Sequence, residues 1–326
     1  MDPLAAAPAV QPLDAALLRA WPLPMPQADG DKEARGHVLV LGGSREMPGA
    51  VILAATAALR AGAGKLTIAT GQSVAQLVAL AIPEARVLGL AETDAGGVQL
   101  SAVARLDPLA DRINAILVGP GMQDEPATAG LVHALLPRLG DSEVKVVLDA
   151  TAMGALRHPP GGNERFRFAR PVVLTPHAGE MAHLTGVPKD DVCDAPWPLA
   201  QRCAEGWNAV VALKGAVTYI AAPGGEGWRH EGGNVGLAIS GSGDVLAGII
   251  AGCAARGATL AQAACWGVAL HARAGERLAA RCGTLGFLAR ELCNEIPALL
   301  DIAAGRKAGG ATAIRQLPGG WESGSA

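Results

Sequence analysis

The sequence predicts an α/β fold in which helices cover both faces of a mostly parallel central sheet. Three observations carry that expectation. From residue 37 onward, short runs of Val, Leu and Ile alternate with alanine-rich stretches of helix length. The runs are apolar throughout rather than alternately apolar and polar, as suits strands buried on both faces. Half of the residues are hydrophobic but only 3% are aromatic, so the core has to be assembled from Ala, Val, Leu and Ile, with glycines letting elements approach closely.

In chain order, residues 1–35 mix proline, alanine and charge and read as a lead-in segment with a short helix at 13–20. Strands are expected at 37–41, 65–69, 86–90, 115–118, 145–148, 171–174, 210–213 and 218–221, where β-branched residues and leucine gather between turn formers. Helices are expected at 50–61, 74–81, 128–139, 180–185 and 199–207. Beyond 218 the order changes. Segments 218–221 and 227–230 read as a β-ribbon, and helices follow at 244–255, 260–280 and 284–296. Residues 36–304 then make one domain, and 305–326, rich in Gly, Ala and Ser, a loose tail.

Composition excludes several classes of function. The formal charge is −3 and no Lys/Arg cluster is interleaved with aromatics, so nucleic acid is not an expected partner. The six cysteines lie far apart with no Cys-x-x-Cys pair, which reads as free thiols in a reducing, cytoplasmic compartment. The apolar stretch 4–10 follows Asp2, contains Pro8 and lacks a basic flank, so a secretory signal is not expected. Uncharged runs such as 47–59 and 257–271 fall short of the roughly 18–20 residues that cross a bilayer.

The chemistry points to loops that each follow a strand. Gly241-Ser242-Gly243-Asp244 precedes an apolar helix. Small residues at such a start free backbone N–H groups, which together with the helix dipole form a cup for an anion, and Asp244 would point into it. The plainer alternative is that Asp244 caps its helix. Lys214-Gly215 ends a strand where ligands bind in α/β sheets, so Lys214 could neutralise a phosphate; an ordinary surface turn is the alternative. Thr175-Pro176-His177-Ala178-Gly179-Glu180 places His177 and Glu180 between a strand and a helix, and a histidine there also serves as a plain structural hydrogen-bonding residue. Gly42-Gly43-Ser44 with Gly49-Ala50, and Gly119-Pro120-Gly121, repeat the pattern. Such loops would gather on one edge of the sheet.

Together these segments resemble the ADP- or ATP-dependent NAD(P)H-hydrate dehydratases, members of the ribokinase-like superfamily. The resemblance spans roughly residues 34–300 and keeps the family's order. It runs through Gly36 to Ser44, Gly49-Ala50, Arg60 to Gly64, Gly119-Pro120-Gly121, Leu148-Asp149-Ala150, Thr175 to Glu180, Leu213-Lys214-Gly215 and the Gly241 to Gly248 helix start. It implies a ribokinase-like three-layer α/β/α sandwich. There are departures. Thr151 stands where relatives usually carry a second carboxylate, the approach 233–240 lacks the usual proline and an extra Thr-Gly, and Met47 stands where an aromatic is usual.

The resemblance further implies dehydration of the S form of hydrated NADH or NADPH at the expense of ADP, or of ATP in some relatives. Asp244 would be the general base and is expected to be ionised at neutral pH. Ala50, Gly121, His177 and Asp244 would contact the hydrated dinucleotide. Lys214, Gly215, Ala216, Val217, Thr218 and Gly243 would line the nucleotide site, and Gly241, Ser242 and Gly243 would form the anion cup. Mg²⁺ would bridge the phosphates, with Glu180 its partner through water, and the enzyme would be a homotetramer. A small-molecule kinase of the same fold and a non-catalytic nucleotide-binding regulator are the competing readings.

Overall fold

The computed structural model describes residues 10–26, 31–140, 142–162 and 166–303; the expected tail at 305–326 lies outside the described residues. A short strand β1 (Gln11–Pro12) and helix α1 (Ala15–Ala20) come first. Then follow β2 (His37–Leu41), α2 (Pro48–Arg60), β3 (Lys65–Gly71), α3 (Ala75–Ala81) and β4 (Arg86–Leu90). The chain continues through β5 (Ala115–Val118), α4 (Glu125–Leu135), β6 (Lys145–Leu148), β7 (Val172–Leu174), α5 (Ala178–Thr185), α6 (Lys189–Asp194), α7 (Pro196–Trp207) and β8 (Ala209–Leu213). It ends with β9 (Val217–Ala221), β10 (Gly227–Glu231), α8 (Ser242–Ala255), α9 (Leu260–Cys282) and α10 (Ala289–Ala303), and 3₁₀ turns at Leu100–Leu109 and Ala150–Leu156 join the list.

The ten strands of the described residues form one sheet in the order β1-β10-β9-β8-β7-β6-β5-β2-β3-β4. The run from β8 to β4 is parallel, whereas β9 is antiparallel to β8 and to β10. Strand residues alternate between two cores. Val38 and Val40 face α2, α8, α9 and α10; Leu39 and Leu41 face α4, α7 and the 3₁₀ turn at Leu100–Leu109. Helices on both faces satisfy the apolar runs of the sequence, and the three-layer α/β/α sandwich with a mostly parallel sheet follows. The chain leaves β2 toward β3 and β4 and returns to β5 on β2's other side. This makes a switch point between β2 and β5, the place where open α/β sheets open a crevice.

Element boundaries differ from expectation where capping decides them. The helix expected at 128–139 starts at Glu125, because the Asp124 side chain accepts from the Ala127 N–H, and it gives way at Leu136 to a 3₁₀ turn containing Pro137, which has no N–H to donate. The helix expected at 284–296 starts at Ala289, because Gly283 and Gly286 hold φ of +100° and +101°, outside the helical region. Helix α8 starts at Ser242 because Gly241, at φ +87°, turns the chain into it, so Asp244 sits in its first turn rather than at its first residue.

Candidate active site

The strand-end loops meet at the carboxyl edge of the sheet, tied by backbone hydrogen bonds. Across the switch point the Gly43 N–H donates to the Pro120 carbonyl at 2.7 Å and the Gly119 N–H to that of Leu41 at 3.1 Å. One strand further, the Asp149 N–H donates to Val118 at 3.0 Å, and the Lys214 N–H donates to Pro176 at 2.8 Å. Gly119, at φ +125°, makes this closeness possible: a Cβ there would stand 1.8 Å from the Asp149 carbonyl oxygen. Gly121 packs so closely on α2 that its Cβ would lie 2.7 Å from that of Ala50.

Helix α8 runs alongside α2 in the same direction. Cβ atoms at Gly248 and Gly252 would strike the carbonyls of Ala54 and Ala58, at 2.1 and 2.5 Å, so the glycines let the two backbones touch. Both helix N-termini therefore open on the same edge, Ala50 in one first turn and Asp244 in the other. Gly241 supplies no side-chain cap, and no cap hydrogen bond is made by Asp244 among the described residues. Its place in the first turn nevertheless sets its charge against the helix dipole. Of the cup residues, the Ser242 N–H turns back to the Ile239 carbonyl at 3.3 Å, so its amide does not face the cup as expected. Gly243 faces Lys214, whose Nζ is 3.5 Å from where a Cβ on Gly243 would be.

Lys214 is the hub of the site. Its Nζ lies 3.7 Å from Asp149 Oδ1 and 3.6 Å from Glu180 Oε2. Asp149 is 3% exposed, and the Thr175 hydroxyl donates to it at 2.6 Å; burial raises its pKa against the opposing pull of Lys214. Asp244 is pushed up to about 7 by burial first and then by the negative charge of Asp149, with Lys214 opposing and Glu180 adding to the rise. The expectation was a carboxylate ionised at neutral pH; a value of about 7 leaves it partly protonated there. One lysine among three carboxylates leaves the site short of positive charge, and a helix N-terminus offsets part of the deficit.

His177 and Glu180 form a capping box on α5. The Glu180 N–H donates to His177 Nδ1 at 3.1 Å, and the His177 N–H donates to Glu180 Oε2 at 2.8 Å. The structural reading of His177 is thus realised: its exposed ring also holds Nε2 3.6 Å from Glu180 Oε2. Gly215 and Ala216 form the exposed turn after Lys214, and Val217 and Thr218 open β9, half-buried. Met47 is 50% exposed just before α2, and the Thr151 hydroxyl donates to the Met122 carbonyl at 2.8 Å instead of supplying a carboxylate. Two site residues were absent from the candidate roles: Asp149, present only as part of a matched segment, and His271 of α9, whose Nε2 lies 2.9 Å from Ser242 Oγ. A pocket of about 590 Å³, walled by Leu59, Trp266, Pro297 and Leu300, opens at the opposite edge beside Gly62 and Arg256; none of these carboxylates lines it.

Among the described residues no group of three or more His, Cys, Asp or Glu is arranged to hold a metal ion. The contacts of the Glu180 carboxylate fall on Oε2, which leaves Oε1 for a water of a hydrated cation. That donor set fits Mg²⁺ carried mainly by phosphate oxygens.

A family model described as NAD(P)H-hydrate dehydratase matches residues 38–298. An ADP-dependent (S)-NAD(P)H-hydrate dehydratase of Xanthomonas campestris pv. campestris is 50% identical over 294 residues, covering 90% of this chain and 97% of that protein. The crystal structure of the Bacillus subtilis ADP/ATP-dependent NAD(P)H-hydrate dehydratase, co-crystallized with ATP/Mg²⁺, is similar at a TM-score of 0.77 and 30% identity, covering 91% of this chain and 100% of that one. Ribokinase from Giardia lamblia, at a TM-score of 0.52 and 12% identity over 82% of this chain and 99% of that one, shares the fold alone. A ribokinase-like sandwich, a carboxylate at the start of α8 and a match over most of the chain agree: the chain belongs to the NAD(P)H-hydrate dehydratase family.

Proposed function

We propose that this chain dehydrates the S form of hydrated NADH and NADPH with ADP as phosphoryl donor, releasing AMP, phosphate and NAD(P)H. The observation that carries the reading is Asp244, in the first turn of α8 beside Lys214, with its carboxyl pushed up to about 7. Hydroxide leaves a saturated ring carbon poorly, whereas phosphate leaves well. Asp244 accepts the proton of the ring hydroxyl as its oxygen bonds to the terminal phosphorus of ADP and the bond to AMP breaks. The hydroxyl oxygen then departs within phosphate, a neighbouring ring C–H gives up its proton, and the dihydronicotinamide is restored. A pKa near 7 suits this task, since the group is a useful base at neutral pH and holds the proton it gains.

Lys214 and the Gly243 amide face the charge that builds on the transferred group, where fixed donors need no reorganisation. Ala50 and Gly121 close one wall for the hydrated dinucleotide, the exposed His177 ring contacts it beside Glu180, and Gly215, Ala216, Val217 and Thr218 form the nucleotide wall. Mg²⁺, where bound, neutralises phosphate charge, with Glu180 holding it through water. The six free cysteines suit a reducing cytoplasm. Among the described residues no helix is long and apolar enough to cross a membrane. Assembly as a homotetramer belongs to the same proposal and is read by light scattering.

The test is to incubate the protein with hydrated NADH and ADP, or ATP, and follow absorbance of the dihydronicotinamide. Recovery of absorbance with release of phosphate is expected. A phosphorylated dinucleotide accumulating without recovery would assign a kinase instead, and no change with either nucleotide would refute catalysis.

A further inference from the structure

The middle residue of the glycine loop is tied to a helix that contributes nothing else to the site. Ser242 is 4% exposed, so water does not satisfy its hydroxyl. Its Oγ lies 2.9 Å from Nε2 of His271, halfway along α9. A hydroxyl both donates and accepts, so the pair is hydrogen-bonded in either tautomer of the neutral ring. The Ser242 N–H is already directed at Ile239, and Gly241 supplies no side-chain cap. Besides its packing on α2, α9, α10 and the sheet, the entry to α8 is held by the left-handed turn at Gly241 and by this side-chain tie.

We propose that His271 is a positioning residue for phosphoryl transfer: by holding Ser242 Oγ it fixes the first turn of α8 and so sets the Gly243 amide and the Asp244 carboxylate against the phosphoryl site. This rests on the reaction proposed above. The imidazole suits the task because it stays uncharged. Burial, and secondly the positive charge of Lys214, hold its pKa down at about 4, so no second cation competes with Lys214 for the carboxylates at neutral pH. Of the substrate-side residues, Ala50, Gly121 and His177 sit on other elements, and Asp244 alone depends on the tie.

The experiment compares His271→Leu, which keeps much of the volume, with His271→Gln, whose amide nitrogen reaches the place of Nε2. Ser242→Ala and the double variant Ser242→Ala/His271→Leu complete a cycle. In His271→Leu, kcat should fall by about 10- to 100-fold, the range that a displacement near 1 Å produces. Its KM for the hydrated dinucleotide should rise by a smaller factor than kcat falls, and its calorimetric Kd for ADP should rise several-fold. His271→Gln should recover most of both losses. Ser242→Ala should match His271→Leu, and the double variant should be no worse than either. Equal losses in the Leu and Gln variants, additive losses in the double variant, or wild-type kcat and ADP affinity in His271→Leu would each overturn the proposal. An inactive wild type would refute the proposed reaction alone, because the ADP titrations of the Leu and Gln variants still decide whether the tie shapes the site.

Discussion

At neutral pH the carboxyl of Asp244 is divided between its acid and base forms, since burial and the charge of Asp149 lift it from 3.8 to about 7 against Lys214. A folded-state pKa above the unfolded one has a definite sign. The stability this group lends is complete below its ordinary range and is lost as pH rises through about 7. Asp244→Asn should therefore be more stable than the wild type at pH 8, by on the order of a few kcal/mol, and not at pH 4, as read by calorimetric Tm. The same substitution should keep ADP binding yet lower kcat by about 10²- to 10⁴-fold, the contribution of a positioned base. Near-normal turnover would remove Asp244 from the chemistry. In the wild type, kcat/KM should fall on the acid side of an apparent pKa near 7, raised by the burial of Asp244 and by the charge of Asp149. A profile flat from about pH 5.5 to 8 would contradict the role of the base.

Helices α2 and α8 act as one element, because glycines let their backbones touch along parallel axes. A Cβ at Gly248 would stand 2.1 Å from the Ala54 carbonyl oxygen, which no side-chain rotation relieves. Gly248→Val should force the pair apart, cost about 1–3 kcal/mol or more in urea unfolding, and raise KM for the hydrated dinucleotide by separating Ala50 from Asp244. Unchanged stability would show that the contact is not fixed. These elements also show what the sequence discloses. Strands 37–41, 115–118 and 145–148 are legible to the residue, since buried parallel strands are largely apolar runs between turn formers, and the edge strand 86–90 is legible too although only Leu90 of it is buried. Helix starts were less legible: Asp124 and Gly283 act through caps and backbone angles that apolar periodicity does not register. In the site, glycine loops announce Asp244 and Lys214 because they follow strands. His271 lies amid an ordinary alanine-rich helix, and only the folded arrangement of α8 and α9 reveals its partner.

Over the whole molecule, the sheet's far edge is finished by the lead-in segment. The Leu13 N–H donates to the Arg229 carbonyl at 2.8 Å, and β1 pairs with β10. Trp21 stacks on Trp228 at 5.7 Å between ring centroids, while its carbonyl accepts from Trp266 Nε1 at 2.8 Å. Leu13, Leu18 and Leu23 are buried in the core that also holds α8 and α9. Residues 10–26 therefore cover an apolar edge at which β10 and β9 extend the sheet beyond β8. Deleting residues 1–26 should remove three buried leucines, whose burial is worth about 1.5–3 kcal/mol each, and lower Tm by on the order of 10 °C. The exposed β10 edge should then promote association, visible as concentration-dependent light scattering. The kcat of the fraction that remains folded should change little, because Asp244, Lys214, Asp149 and Glu180 lie at the carboxyl edge of β5 to β8, away from β1. A truncated chain with wild-type Tm would show that this strap is dispensable, whereas a folded chain with lost kcat would mean that the Trp21–Trp266 contact steers α9, and through it His271.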